Sequence, residues 1–157
     1  MKQIIKQDYN ALILKSVKIT AGAILAILFA SCLNLKYSAT AGIITILSIQ
    51  NTKKETIQTA LARGEAICCA LLVSFLCYNF FGYTTAAFGI YLLIFTTLCL
   101  TMKWSSAIAM DSVLITHFLA EKTMNIPMIT NEISLFVIGA GIGVLLNLSL
   151  RPKENEW

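Results

Sequence analysis

The chain has 157 residues, of which 57% are hydrophobic and 13% charged, and its formal net charge is +4. A soluble globular domain carries about 25% charged residues, so a shortfall gathered into long apolar runs excludes that class. The basic excess lies between the runs rather than on one face, which suits orientation in a bilayer and argues against nucleic acid as a partner.

The first segment, residues 1–16, is expected to be a basic amphipathic stretch holding Lys2, Lys6 and Lys15. Lysines before an apolar run also describe a removable export signal, and Phe29-Ala30-Ser31-Cys32 resembles a lipoprotein cleavage site. The further apolar segments downstream favour a retained helix. Backbone in lipid must satisfy its polar groups internally, as helices or as a closed barrel. These runs are apolar on all sides and do not alternate, which selects helices.

At about 20 residues per span, the expected spans are 17–35, 37–50, 66–81, 84–102, 104–120 and 133–150, the second being short. The reading is an all-α integral membrane protein, with a six-helix transmembrane domain over 17–150 and a short cytoplasmic tail over 151–157. The third helix is expected to begin before the membrane, because Thr52-Lys53-Lys54-Glu55 reads as a capping box. A helix from Lys53 to Phe81 would be roughly 43 Å long at 1.5 Å per residue, against a hydrocarbon core of about 30 Å.

Orientation follows from the basic residues. With the N-terminus inside, Lys2, Lys6, Lys15, Lys18, Lys53, Lys54, Arg63, Lys103, Arg151 and Lys153 face the cytoplasm, and Lys36 and Lys122 face outward. That is the positive-inside distribution. A five-span alternative with a re-entrant second segment would put Arg151 and Lys153 opposite the N-terminal lysines. Tyr37, Tyr83 and Trp104 suit interfacial anchoring.

Sliding the chain on itself by 67 positions brings Gly22 to Gly89, Cys32-Leu33 to Cys99-Leu100, and Lys36-Tyr37-Ser38 to Lys103-Trp104-Ser105. Three spans separate the copies, so they would run in opposite directions, as in the inverted repeats of transporters. Helices two and five then correspond. Both are short and polar for their setting, a combination that points to a substrate path. Thr45 and Gln50 on the second, and Lys103, Asp111, Ser112 and His117 at or on the fifth, are the candidate path residues.

Asp111 and His117 are the ionisable residues expected deep in a span, where such groups face a cavity or a partner. Six positions of helix set them about 120° apart, so both could border one aqueous space without touching. Proton coupling is the functional reading, and a helix–helix hydrogen bond is the structural one. Lys36, Arg63 and Lys103 are candidates for attracting an anion at the mouths of a path; snorkelling to headgroups is their plainer role.

Gly139-Ala140-Gly141-Ile142-Gly143 lies in an apolar span without a preceding strand, so it is not a nucleotide loop. Gly139 and Gly143 make a G-x-x-x-G face for close helix approach, with Asn147 one turn on, either within a protomer or across a dimer. Cys32, Cys68, Cys69, Cys77 and Cys99 all sit in apolar runs without a C-x-x-C pair. With one histidine in the chain, no metal or cofactor site and no enzyme active site are expected.

The ordered pieces resemble the bacterial aromatic acid exporter family, within the broader fusaric-acid-resistance-like group. They are Ser38-Ala39-Thr40-Ala41-Gly42-Ile43-Ile44-Thr45-Ile46-Leu47-Ser48-Ile49-Gln50, Thr52-Lys53-Lys54-Glu55-Thr56, Arg63, Phe81-Gly82-Tyr83, Ser112-Val113-Leu114 with His117, and Asn131-Glu132. The run from Ile138 to Gly143, then Leu146-Asn147-Leu148 and Pro152, completes a likeness over residues 10–152. The resemblance implies a six-helix domain in the bacterial cytoplasmic membrane that exports small organic anions such as aromatic carboxylates. Plant malate channels are distantly similar and dimeric, which implies a homo-oligomer, with a dimer favoured. Family members continue into a helical cytoplasmic domain, whereas this sequence ends at Trp157, so the likeness is to the N-terminal transmembrane domain alone. The alternative is a non-transporting membrane scaffold or an accessory subunit of a larger complex. A charged Asp111 would repel an anion unless protonated, and that tension favours proton coupling.

Overall fold

A computed structural model of the protein describes residues 1–50 and 53–150. Among them are six helices: α1 (Lys2–Cys32), α2 (Ala39–Leu47), α3 (Lys53–Phe81), α4 (Thr85–Thr101), α5 (Ala107–Glu121) and α6 (Ile126–Leu150). Three stretches among the described residues, Asp8–Cys32, Lys53–Phe81 and Ile126–Leu148, are long and apolar enough to cross a membrane; Thr85–Thr101 is apolar but shorter. Leu25, Leu28 and Phe29 of α1 and Val137 and Leu145 of α6 are exposed. Such an outward apolar surface needs lipid or protein as its solvent.

The helix ends follow local chemistry. Gly82, at φ 75°, closes α3 in the left-handed conformation, and its N–H bonds Tyr78 O at 2.9 Å. The Thr84 side chain caps α4 by accepting from Ala87 N. α1 and α4 end alike: Leu35 N bonds Ala30 O at 3.1 Å and Trp104 N bonds Cys99 O at 2.7 Å, around left-handed Asn34 and Lys103. The spacing in both is the six-to-one bond of a Schellman ending.

Two boundaries differ from the sequence expectation. α1 is helical from Lys2, so the basic stretch and the first span form one continuous helix of 31 residues. α6 begins at Ile126 and not near 133, because Asn125 Oδ1 accepts from Met128 N at 3.0 Å while Pro127 sits in the first turn. An asparagine cap followed by an early proline is a strong helix start. The expected Thr52 cap, and Arg151 and Lys153 of the tail, lie outside the described residues.

The chain divides into two compact units, Met1–Thr56 together with the chain from Ser134 onward, and Ile57–Ile133. In the first, α1 packs on α2, and α6 lies on α2 through glycines. In the second, α4 packs on α5, and α3 reaches α5 where Tyr78 Oη donates to Ile115 O at 3.3 Å. The core of this unit joins Ala66, Ala70 and Tyr78 of α3, Tyr91, Phe95 and Cys99 of α4, and Ile115 and Phe118 of α5.

Candidate functional site

Each unit holds part of the expected site. In the first, the small residues of α6 bring it against α2. A Cβ added at Gly139 would lie 2.7 Å from Ala41 O, and one at Gly143 would lie 2.8 Å from Thr45 O. The Thr45 hydroxyl donates to Ala41 O at 2.9 Å and reaches Gly139 O at 3.0 Å. Asn147, buried one turn beyond Gly143, donates from Nδ2 to Thr56 Oγ1. Gly139 and Gly143 thus lie against α2 of the same protomer. Gln50 is half-buried, with Nε2 donating to Leu47 O, and Lys36 is exposed in the α1–α2 turn.

An apolar groove of about 450 Å³ runs along this unit, lined by Lys18, Gly22 and Leu25 of α1 and Ile142, Leu145 and Leu146 of α6. Apart from Lys18 its lining side chains are apolar, so it suits acyl chains or apolar side chains.

The second unit contains the chemistry. Asp111, on the inner side of α5, is 0% exposed, and neither carboxylate oxygen accepts a hydrogen bond among the described residues. Arg63 of α3 is 6% exposed and is the positive charge acting on Asp111. Its Nε–H donates to Ser106 O, the residue before α5, at 3.2 Å, which ties α3 to the start of that helix. Sequence reasoning placed Arg63 at a mouth; the fold buries it in this unit. Ser112 Oγ and Tyr91 Oη lie 3.5 Å apart, joining α5 to α4. Tyr91 stacks on Phe95 with ring centroids 5.3 Å apart, and Phe88 tilts onto Tyr91 at 5.6 Å. Lys103 is exposed in the turn between α4 and α5.

Six residues along α5, His117 is held by Glu132, which the sequence marked as part of the family resemblance but not as a site residue. Its Nδ1 lies 2.6 Å from Glu132 Oε2, and Glu132 is 0% exposed. Asn131 Nδ2 donates to the other oxygen, Oε1, at 3.2 Å. A span read as starting at 133 excluded Glu132, whereas the Asn125 and Pro127 start signal would have placed it inside α6. Tyr91 was also missed, since one tyrosine among apolar residues carries no signal until the fold faces it with Ser112.

Arg63, Asp111, Ser112 and Tyr91 thus gather near one end of α5, and His117 with Glu132 two turns further on. An arginine beside a buried carboxyl can hold an anion and exchange a proton. The histidine–carboxylate pair can also carry a proton.

Residues 11–150 match the family described as aromatic acid exporter family member 1. Over 142 residues the chain is 37% identical to the uncharacterized protein YqjA of Bacillus subtilis (strain 168), an alignment covering 90% of this chain and 44% of that protein. The chain therefore spans less than half the length of this relative. No solved structure matches the chain.

Proposed function

The chain belongs to the aromatic acid exporter family, and on that premise we propose that it is a multi-pass transporter or channel of the bacterial cytoplasmic membrane. Its cargo is small organic anions such as aromatic carboxylates, moved outward with coupling to protons. The carrying observation is a buried Asp111 whose oxygens accept no hydrogen bond among the described residues, under the positive charge of a buried Arg63 in the same unit. Burying an ionised carboxylate without donors costs several kcal/mol, and inside a membrane such groups usually mark an ion or proton path. A structural ion pair would be expected to satisfy its oxygens with hydrogen bonds.

The reading includes six spans with both termini cytoplasmic, arranged as two inverted repeats. Support for the repeat comes from two backbone bonds that recur at the 67-residue offset. Thr40 N to Tyr37 O and Ala107 N to Trp104 O are both 2.9 Å; Ala41 N to Ser38 O is 3.1 Å and Ile108 N to Ser105 O is 3.4 Å. Each unit also pairs its hairpin with one more helix, α6 with α1 and α2, and α3 with α4 and α5. The same offset carries α3 onto residues 120–148, close to α6, so the third helices are exchanged between the repeats. A homo-oligomer, with a dimer favoured, completes the proposal.

The test is uptake of labelled hydroxybenzoate by vesicles holding the purified protein, with protein-free vesicles subtracted for leak. Uptake should depend on an imposed pH gradient and should fall at least tenfold in the combined Asp111→Asn and His117→Ala variant. Undiminished gradient-dependent uptake in that variant would remove proton coupling through these residues. Uptake no faster than leak for the unaltered protein would leave the non-transporting scaffold as the better reading.

A further inference from the structure

Arg63 and Asp111 are opposite charges on neighbouring helices of one unit, both buried, yet neither Asp111 oxygen accepts a hydrogen bond among the described residues. An ionised carboxylate in this position depends on Arg63 for its counter-charge. A guanidinium is a planar fork whose N–H groups match a carboxylate in two parallel bonds. One of them, Nε–H, is directed at Ser106 O and anchors the head at the start of α5. Beyond Asp111 the same core presents aromatic rings, Tyr91 stacked on Phe95, with the Tyr91 hydroxyl at Ser112. A fixed cation, a carboxyl able to take a proton, and stacked rings are the groups that would recognise an aromatic monocarboxylate.

Building on the anion-transport reading, we propose that the Asp111 carboxylate and the substrate carboxylate are alternative counter-charges of Arg63. Above the pH at which Asp111 ionises, the empty site holds its carboxylate as the balance of Arg63. When the anion binds, Asp111 takes one proton from solvent and the substrate balances Arg63. Net charge among the three groups is zero in both states, so a low-dielectric interior admits each of them, whereas anion and ionised Asp111 together would leave a buried negative charge. Anion binding therefore consumes a proton at Asp111. Among the described residues, the titratable and charged groups from neighbouring helices that Asp111 interacts with electrostatically are Arg63 from α3 and Tyr91 and Cys99 from α4. On α5 itself His117 stands two turns away, with Nδ1 engaged by Glu132 of α6.

The experiment is calorimetric titration of the full chain in lipid nanodiscs with benzoate, run at several pH values and in two buffers of different ionisation enthalpy. Where Asp111 is ionised in the empty site, the unaltered protein should take up about one proton per benzoate, and its affinity should fall by up to about tenfold per pH unit. Asp111→Asn should still bind, without proton uptake, at an affinity that no longer changes with pH and exceeds that of the unaltered protein in alkali. Arg63→Gln should lose at least tenfold in affinity at every pH. Retention of proton uptake and pH slope by Asp111→Asn would overturn the exchange, and so would loss of both in His117→Ala, which would move the proton to the His117–Glu132 pair. The Asp111→Asn result decides the matter even if Arg63→Gln does not fold. Hydroxybenzoate transport by a protein failing these titrations would sink the exchange alone; absence of both binding and transport in the unaltered protein would sink the anion reading beneath it.

Discussion

Substituting alanine at Gly139 tests the packing that holds α6 on α2. The new Cβ would stand 2.6 Å from Ile44 Cβ and 2.7 Å from Ala41 O. Neither atom is the end of a flexible side chain, so the helices must part. Parting them also weakens the Thr45 hydroxyl's reach to Gly139 O, now 3.0 Å, a loss of about 0.6 kcal/mol for an interhelical bond in a membrane. Overpacking costs about 1–3 kcal/mol, opposed by at most about 1 kcal/mol of helix propensity gained over glycine. The net expectation is destabilisation of about 1–2 kcal/mol. Gly141 is the internal control, because a Cβ there meets nothing within 4 Å, and Gly141→Ala should be neutral or mildly stabilising. Both variants would be compared by denaturant unfolding in mixed micelles, together with their oligomeric state by light scattering. A Gly139→Ala protein as stable as Gly141→Ala would refute the packing argument. A variant that kept its stability but lost self-association would return the G-x-x-x-G face to a contact between protomers.

Removing either partner of the His117–Glu132 pair should destabilise strongly, since breaking a buried pair of this kind costs about 3–5 kcal/mol. The double change His117→Leu with Glu132→Leu should cost clearly less than the sum of the single changes in an unfolding cycle; strict additivity would mean that the pair is not coupled. Asn147→Ala should cost about 1 kcal/mol by removing its bond to Thr56. Thr56→Ala should match it, and the double variant should cost no more than either, measured as shifts in the same transition.

Glu132 shows how much of the site the sequence could express. Its charge, its neighbour Asn131 and the Asn125–Pro127 start signal are all local. Its meaning depends on His117, fifteen residues away on another helix. Arg63 is the same case at longer range: basic residues were read by their place along the chain, which reports orientation, while its burial depends on α5 arriving beside α3 at Ser106. Asp111 was legible because a carboxylate inside an apolar run is anomalous without reference to any neighbour.

The sequence by itself determined that this chain is helical and apolar, roughly where its apolar segments lie, and that Asp111 and His117 are the ionisable side chains deep in α5. These are properties of single segments, set by hydropathy and backbone hydrogen bonding in lipid. Only the tertiary structure decided that Gly139 and Gly143 face α2, that Arg63 is buried in the same unit as Asp111 with its charge acting on it, and that His117 meets Glu132. The physical reason is that a helix apolar on all sides carries little amphipathic pattern to show which face meets which neighbour. Pairing is then chosen by close fit and by a few polar contacts between residues far apart in the chain.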